Sequence, residues 1–548
     1  MSTTTLWFIR FAFGVVAVAV ITLEIYLAKR QSRYRISAAA LGGVAVANIL
    51  FVCFVLVNQI GFPLHLDLME GTVLQHYERA ANFEAIYPEP TPEYVPLAYN
   101  PLYYVISVPI GWVFGTNLFT LRLVATLGMV GSAFMIYRIV SEKTASRWWG
   151  LIAIGLFAAA YRVMDAYLNT AHSDSWFLFS ALMGSYIIDR NWSRNWNLAG
   201  VGILAAAFWF KQHGALFAIG GVLFLTWREV RQLDWGWRDG IQRSIPYWLL
   251  AGVLGPTLYV FGGPWLFGEE FHYFTWEVPR GWSELTLGAF FRYGFFIARN
   301  YLAIAAASGL FVAFIVLRDR KKLNIWHVQF VFAMLSGFMG TLDPGSADNV
   351  YIPMGTWFIV VGTIGLHELE ARIEIAQQYR VAALAVAVTF ALFIYDFQSV
   401  VVSPNADESY DDFTAMLENL HGPIYAPWQG HISGDYNLYP NPHWVALEDM
   451  IRGPGRDTRN HPNTRRLLEP AIHPNGAAYI LTNKSLDTYA WIEFLEDYYV
   501  LEQDFEDRFE PLRTTPKRFN HAYPRYLYRY DPEKATHADE CAPDQAHC

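Results

Sequence analysis

Charge is what this chain has little of. Only 16% of its 548 residues are Asp, Glu, Lys or Arg, against 54% hydrophobic. Soluble domains carry about 25% charged residues, so a water-soluble globule of this length is excluded. Cysteine is scarcer still. Three residues cannot supply a disulfide framework, although Cys541 and Cys548 could pair in an oxidising compartment. There is no P-loop, no GxGxxG and no GxSxG in its strand–turn–helix context. A formal charge of −9 argues against a nucleic-acid partner. The first apolar run lacks a small-residue cleavage site and is too long for a signal-peptide core, so it reads as a retained span.

What the chain has instead is a succession of apolar runs. A transmembrane helix needs about 20 such residues. About twelve spans are expected, near 5–28, 37–60, 118–138, 147–163, 174–189, 197–210, 212–227, 244–264, 296–317, 325–341, 350–368 and 380–397. Basic residues gather in "KRQSRYRI" (29–36), "YRIVSEKTASR" (137–147), "DRNWSRNWN" (189–197), "REVRQLDWGWRDGIQR" (228–243) and "RDRKKLN". Cytoplasmic loops are enriched in Lys and Arg. All five share one side only if the short apolar stretch 101–115 does not cross, which makes it a re-entrant or interface-lying helix. The opposite, outer side then receives 62–117, with one Arg and no Lys against six acids, and everything after 397.

The expected fold is therefore an all-α polytopic membrane bundle over 1–397, with its first outer loop at 62–117. A soluble α/β domain of about 150 residues follows over 398–548. In that domain "GPIYAPW", "AAYILTN" and "YLYRY" read as strands, and "YDDFTAMLENLH" and "TYAWIEFLEDYY" as amphipathic helices.

Ionisable groups beside apolar segments are functional candidates. Asp67 and Glu70 follow the second span, one helical turn apart. The plainer reading is that they complement a helix dipole. The segment "YPEPTPEYVPLAYNP" is held extended by its prolines and suits the headgroup level, with Tyr99 and Asn100 at its end. Asp174 sits at the mouth of a span, beside His172, with Asp165 a weaker candidate. Lys211, Gln212 and His213 interrupt a long apolar run, as the tip of a helical hairpin would. Arg280, Asp348 and Asn349 lie in later outer loops. No metal motif stands out. "HELE" (367–370) lacks a second His at ligand spacing, and the set His65, Asp67, Glu70 and His76 leaves a divalent cation an open alternative.

In order and spacing these elements resemble the GT-C integral membrane glycosyltransferases, in the bacterial branch related to protein mannosyltransferases and lipid A aminoarabinose transferases. The resemblance covers about 60–400. It rests on "LDLMEGTVLQHYERA", "YNPLYY", "FGTNLFTLRL", "HSDS", "FKQHGALF" and "NVYIPM". It implies sugar transfer from a polyprenyl-phosphate donor to an acceptor hydroxyl of a glycan, lipid or protein. The reaction inverts the anomeric carbon, and a first-loop carboxylate acts as base. The expected setting is the outer face of a bacterial inner membrane, in contact with membrane lipid. Relatives carry an adjacent Asp-Glu pair where this chain has Met69-Glu70. The resemblance thus favours Glu70 as base, with Asp67 the alternative and Asp174 a further catalytic acid. Lys211, His213, Arg280, Tyr99, Asn100, His172, Asp348 and Asn349 are the substrate-binding candidates. A transporter or lipid flippase, or a non-catalytic envelope assembly protein, are the competing readings. Neither internal repeats nor midplane charges favour the transporter.

Overall fold

The computed structural model describes residues 2–28, 36–378, 380–432, 436–453, 467–472, 476–488, 492–512 and 523–540. The basic run 29–35 and the cysteine pair Cys541 and Cys548 lie outside the described residues. The chain divides into two compact units. Unit 1 comprises Met1–Val57, Leu123–Phe261 and Ser283–Gln398. Unit 2 comprises Asn58–Arg122, Gly262–Trp282 and Ser399–Cys548. The first outer loop thus groups with the C-terminal segment.

The helices run α1 (Thr3–Ala28), α2 (Ile36–Ile60), α3 (Glu70–Ala81), α4 (Leu102–Phe114), α5 (Leu118–Thr144), α6 (Arg147–Ala159), α7 (Asp174–Arg190), α8 (Arg194–Phe210), α9 (Gly214–Gln232) and α10 (Trp237–Gly252). A π-helical stretch, Val253–Gly262, continues α10. Then come α11 (Gly263–Phe267), α12 (Val278–Trp282), α13 (Leu287–Asn300), α14 (Leu302–Arg318), α15 (Ile325–Thr341) and α16 (Ile352–Arg372). Among the described residues, five helices are long and apolar enough to cross a membrane, or six if one bent pair counts as a span. The expected count of about twelve is therefore not reached by length and composition. Several helices at predicted spans stop short. α6 ends at Ala159, and the turns that follow pass through left-handed Asp165 and Ala166 (φ 58° and 56°). The predicted span 296–317 is two helices, α13 and α14, bent by 105° at Tyr301.

Local chemistry accounts for the breaks. Ser193 caps α8 by accepting the Trp196 N–H at 3.3 Å. α8 stops where Lys211 turns extended, and α9 restarts at Gly214. Only glycine fits there, since a Cβ would lie 2.2 Å from the Ala207 carbonyl group of α8. The polar tip read from "FKQHGALF" is thus a true helix break. Within unit 1, the basic loops meet at one end. Lys143 pairs with Asp189 (2.7 Å), Arg190 with Glu142 (3.1 Å), and Arg231 donates to the Lys321 carbonyl (3.2 Å).

In unit 2, the strands β1 (Ile424–Tyr425), β2 (Tyr479–Thr482), β3 (Tyr499–Asp504) and β4 (Tyr526–Tyr530) form one sheet in the order β1-β2-β4-β3. β1 and β2 are parallel and the other pairings antiparallel. Strands are found in all three expected segments, and a helix, Ala406–Glu418, covers most of "YDDFTAMLENLH". In the expected helix over 488–499, residues 489–491 lie outside the description. The described part is a 3-10 turn, Glu493–Asp497, and its last residue already opens β3. Phe62, Leu64 and Leu66, which lead into α3, are buried in the same core as Phe413, Ile424, Leu481 and Leu527. α4 has 13 residues. At 1.5 Å each these fall well short of a hydrocarbon core about 30 Å thick, which fits a segment that does not cross.

Candidate active site

α3 begins at Glu70, and its burial decides the chemistry of the first loop. Arg122, at the start of α5, places its guanidinium on this carboxylate. Nε lies 3.1 Å from Oε1 and Nη2 lies 2.6 Å from Oε2, both side chains being buried. The Leu66 N–H also donates to Oε2. The remaining guanidinium donors go to the carbonyls of Gln59, Phe62 and Leu64. Glu70 and Arg122 together therefore fasten the chain from the end of α2 to the start of α3. Both oxygens of Glu70 are thereby engaged.

Asp67 sits inside the strap so formed. It is 1% exposed, and its Oδ2 lies 3.5 Å from the Met69 N–H. Its charge is felt by the imidazole of His443. Tyr99 reaches the same turn, its hydroxyl 3.8 Å from the Met69 sulfur, and Asn100 beside it is buried.

α3 is also tied to the C-terminal part of unit 2. Gln75 donates to the Asn441 carbonyl at 2.9 Å and accepts the His443 N–H at 3.3 Å. Gly71 is the contact point. A Cβ there would lie 2.7 Å from the rings of both His431 and His443. His65 stacks edge-on against His431, ring centres 5.2 Å apart. Arg122, His431 and His443, which pack on this loop, are residues that sequence reasoning passed over. An Arg inside the apolar "FTLRL" was the available signal for the first. The two histidines lie some 360 residues from α3 in the chain, and no local pattern marks them.

His76 does different work. Its Nδ1–H donates to the Thr72 carbonyl (2.7 Å), and Nε2 accepts the Leu97 N–H (2.6 Å), tying the Pro-rich segment to α3. With both its nitrogens engaged, as are both oxygens of Glu70, the set His65, Asp67, Glu70 and His76 is not a ligand set. Among the described residues no group of three or more His, Cys, Asp or Glu side chains is placed to hold a metal ion.

Burial pushes His76 and His443 down to about 3, and His431 well below the usual imidazole range. The unfolded chain protonates these rings near 6.5, whereas the folded chain refuses the proton. Stability from this source is complete above pH 6.5 and falls as the pH drops from there toward about 3. Thermal unfolding of the detergent-purified protein should therefore shift to lower temperature between about pH 8 and about pH 5, and His443→Gln should flatten that slope. A melting temperature independent of pH would refute this.

Unit 1 holds a second polar cluster. Asp174, fully buried at the first turn of α7, accepts Lys211 Nζ at 2.6 Å and Asn349 Nδ2 at 3.1 Å. Three residues predicted separately from the sequence are thus brought together. His213, at the start of α9, feels the charges of both Lys211 and Asp174. Lys211, one of the two cations among the sequence candidates with Arg280, is ion-paired with Asp174. His172 is buried against Tyr167, ring centres 4.7 Å apart. Asp348 is half-buried beside Asn349 in unit 1, and Arg280 is exposed on α12 in unit 2.

No family model and no curated protein matches the sequence. Among solved structures, the chain is similar to an oligosaccharyltransferase from Archaeoglobus fulgidus, solved with Zn and sulfate. The TM-score is 0.51 at 14% identity, covering 83% of this chain and 71% of that one. The fold is GT-C. ArnT from Cupriavidus metallidurans also matches, with a TM-score of 0.48 at 14% identity over 89% of this chain and 98% of that chain. So does AglB from Archaeoglobus fulgidus, solved with an inhibitory peptide and a dolichol-phosphate, with a TM-score of 0.46 at 13% identity over 84% and 72% of the respective chains. These structural neighbours of the GT-C chain are membrane glycosyltransferases.

Proposed function

We propose that the chain is a membrane glycosyltransferase that moves a sugar from a polyprenyl-phosphate donor to an acceptor hydroxyl on the outer face of the membrane. Asp67 is the base. The observation that carries the reading is the buried Asp67, held on a turn that Glu70 and Arg122 fasten, in a chain of GT-C fold.

An alcohol is too weak an acid to ionise before it attacks. Asp67 takes its proton while the new glycosidic C–O bond forms, and the bond from the anomeric carbon to the phosphate oxygen breaks. The lipid phosphate leaves with that electron pair, and the configuration inverts. Glu70 and Arg122 act by positioning, keeping the Asp67 turn in place.

Within unit 1, Lys211 is the residue we assign to holding the phosphate of a polyprenyl lipid, as a cation held ready for an anion. An ammonium has three N–H donors, and one is directed at Asp174, so two can serve phosphate oxygens. Asp174 and Asn349 hold Lys211 in place. Lys211→Met should weaken binding of polyprenyl phosphate by roughly tenfold or more, the range for one lost charge-assisted hydrogen bond. Unchanged binding, measured by competition with a fluorescent lipid phosphate, would refute that role.

The test of the function itself is turnover. Purified protein in lipid nanodiscs, given labelled polyprenyl-phosphate sugars and an acceptor extract, should release free polyprenyl phosphate and label the acceptor. Lipid transport across vesicles without any release would favour the flippase reading instead.

A further inference from the structure

The basic end of unit 1 contains a cavity that the proposed transfer does not use. Its volume is about 130 Å3, and it lies between the ends of α5, α14, α15 and α16. Small-molecule clefts run from about 300 to 1,000 Å3, so it suits a headgroup-sized fragment. Its two halves differ in chemistry. Phe311, Ile315, Val361 and Ile364 form an apolar floor, while Lys143, Lys322 and Arg372 stand at the polar side.

The uncharged polar groups of the lining add donors. The Asn324 side-chain oxygen accepts the Trp326 N–H at 3.1 Å, which leaves the amide nitrogen as its outward function. His327 accepts the Asn324 N–H on Nδ1 at 3.2 Å, so its neutral ring carries the proton on Nε2. Trp326 Nε1 is buried and has no hydrogen-bond partner among the described residues. The carboxylate in the lining, Glu368, is taken by Arg372 at 2.6 Å. Lys143 also faces Asp189 at 2.7 Å. Asp319 stands 3.7 Å from Lys322 and 3.8 Å from Arg372, too far for strong hydrogen bonds.

We propose that this cavity is a binding site for the phosphate headgroup of an anionic phospholipid, with one acyl chain lying along Phe311 and Ile315. Donors and cations over an apolar floor match an anion attached to hydrocarbon. Basic pockets between membrane helices bind such headgroups. The site is separate from the Asp174–Lys211 cluster, which sits at the opposite ends of α7 and α16.

The test is thermal unfolding of the full chain, delipidated in detergent, titrated with phosphatidylglycerol, with phosphatidylcholine and with inorganic phosphate. Phosphatidylglycerol should raise the melting temperature saturably. Lys322→Gln, at an exposed position whose ion-pair partner Asp319 stands 3.7 Å away, should weaken that half-saturation about fivefold, while Lys321→Gln, equal in charge loss but outside the lining, should leave it unchanged. Equal responses to phosphatidylcholine, or equal losses in the two variants, would overturn the proposal. So would inorganic phosphate reproducing the full shift, since it would show that the acyl chain contributes nothing.

Discussion

Replacing Asp67 by Asn should lower turnover by about two to four orders of magnitude, the usual contribution of a positioned general base. The variant should melt where the wild type does, because Asn keeps the shape and the contact to the Met69 N–H. The measurement is release of polyprenyl phosphate in nanodiscs beside a melting curve of the same sample. If Asp67→Asn retains full turnover, the base lies elsewhere and the reading of this loop is wrong. Glu70→Gln separates the two acids. It should lose activity and stability together, since it acts through Arg122.

Breaking that pair carries the largest expected effect on stability. Removing one partner of a buried ion pair costs about 3–5 kcal/mol, because the other charge stays buried without compensation. Arg122→Met should be the worst single change in unit 2. It leaves Glu70 charged and buried, and takes the Arg122 donors from the carbonyls of Phe62 and Leu64, each worth roughly 1–3 kcal/mol if left unpaired, while the Gln59 carbonyl keeps the Phe62 N–H. The double variant Arg122→Met with Glu70→Leu should recover part of the loss and no more, because those carbonyls remain unpaired. Melting temperatures of the four proteins of this cycle give the coupling directly. A coupling near zero would mean that the pair is not what holds the turn.

The same residues show how far the sequence could be read. The acid-bearing loop, the polar break at Lys211 and the polar Asp174 and Asn349 were visible as polar interruptions of apolar text. Burying such groups is costly, so their presence signals a purpose. Three of the four strands and the helix before them were visible too, through alternation and amphipathic period. Which acid does what was not visible. Asp67 and Glu70 look alike at three residues' spacing, and only the arrival of Arg122 from the next helix distinguishes them. Helix length among the described residues departs from the expected spans for a related reason. Composition marks where the chain is apolar, whereas bends such as the one at Tyr301 depend on what packs around them.

By itself, then, the sequence determined the membrane class, the gathering of basic residues between apolar runs and the short list of polar residues worth attention, because these depend on transfer between water and hydrocarbon. The pairings of Arg122 with Glu70 and of Lys211 with Asp174, and the seating of His431 and His443 on Gly71, were decided only in the tertiary structure. Each joins residues from separate segments of the chain, and the strength of a charge or hydrogen bond is set by the neighbours and the burial that folding supplies.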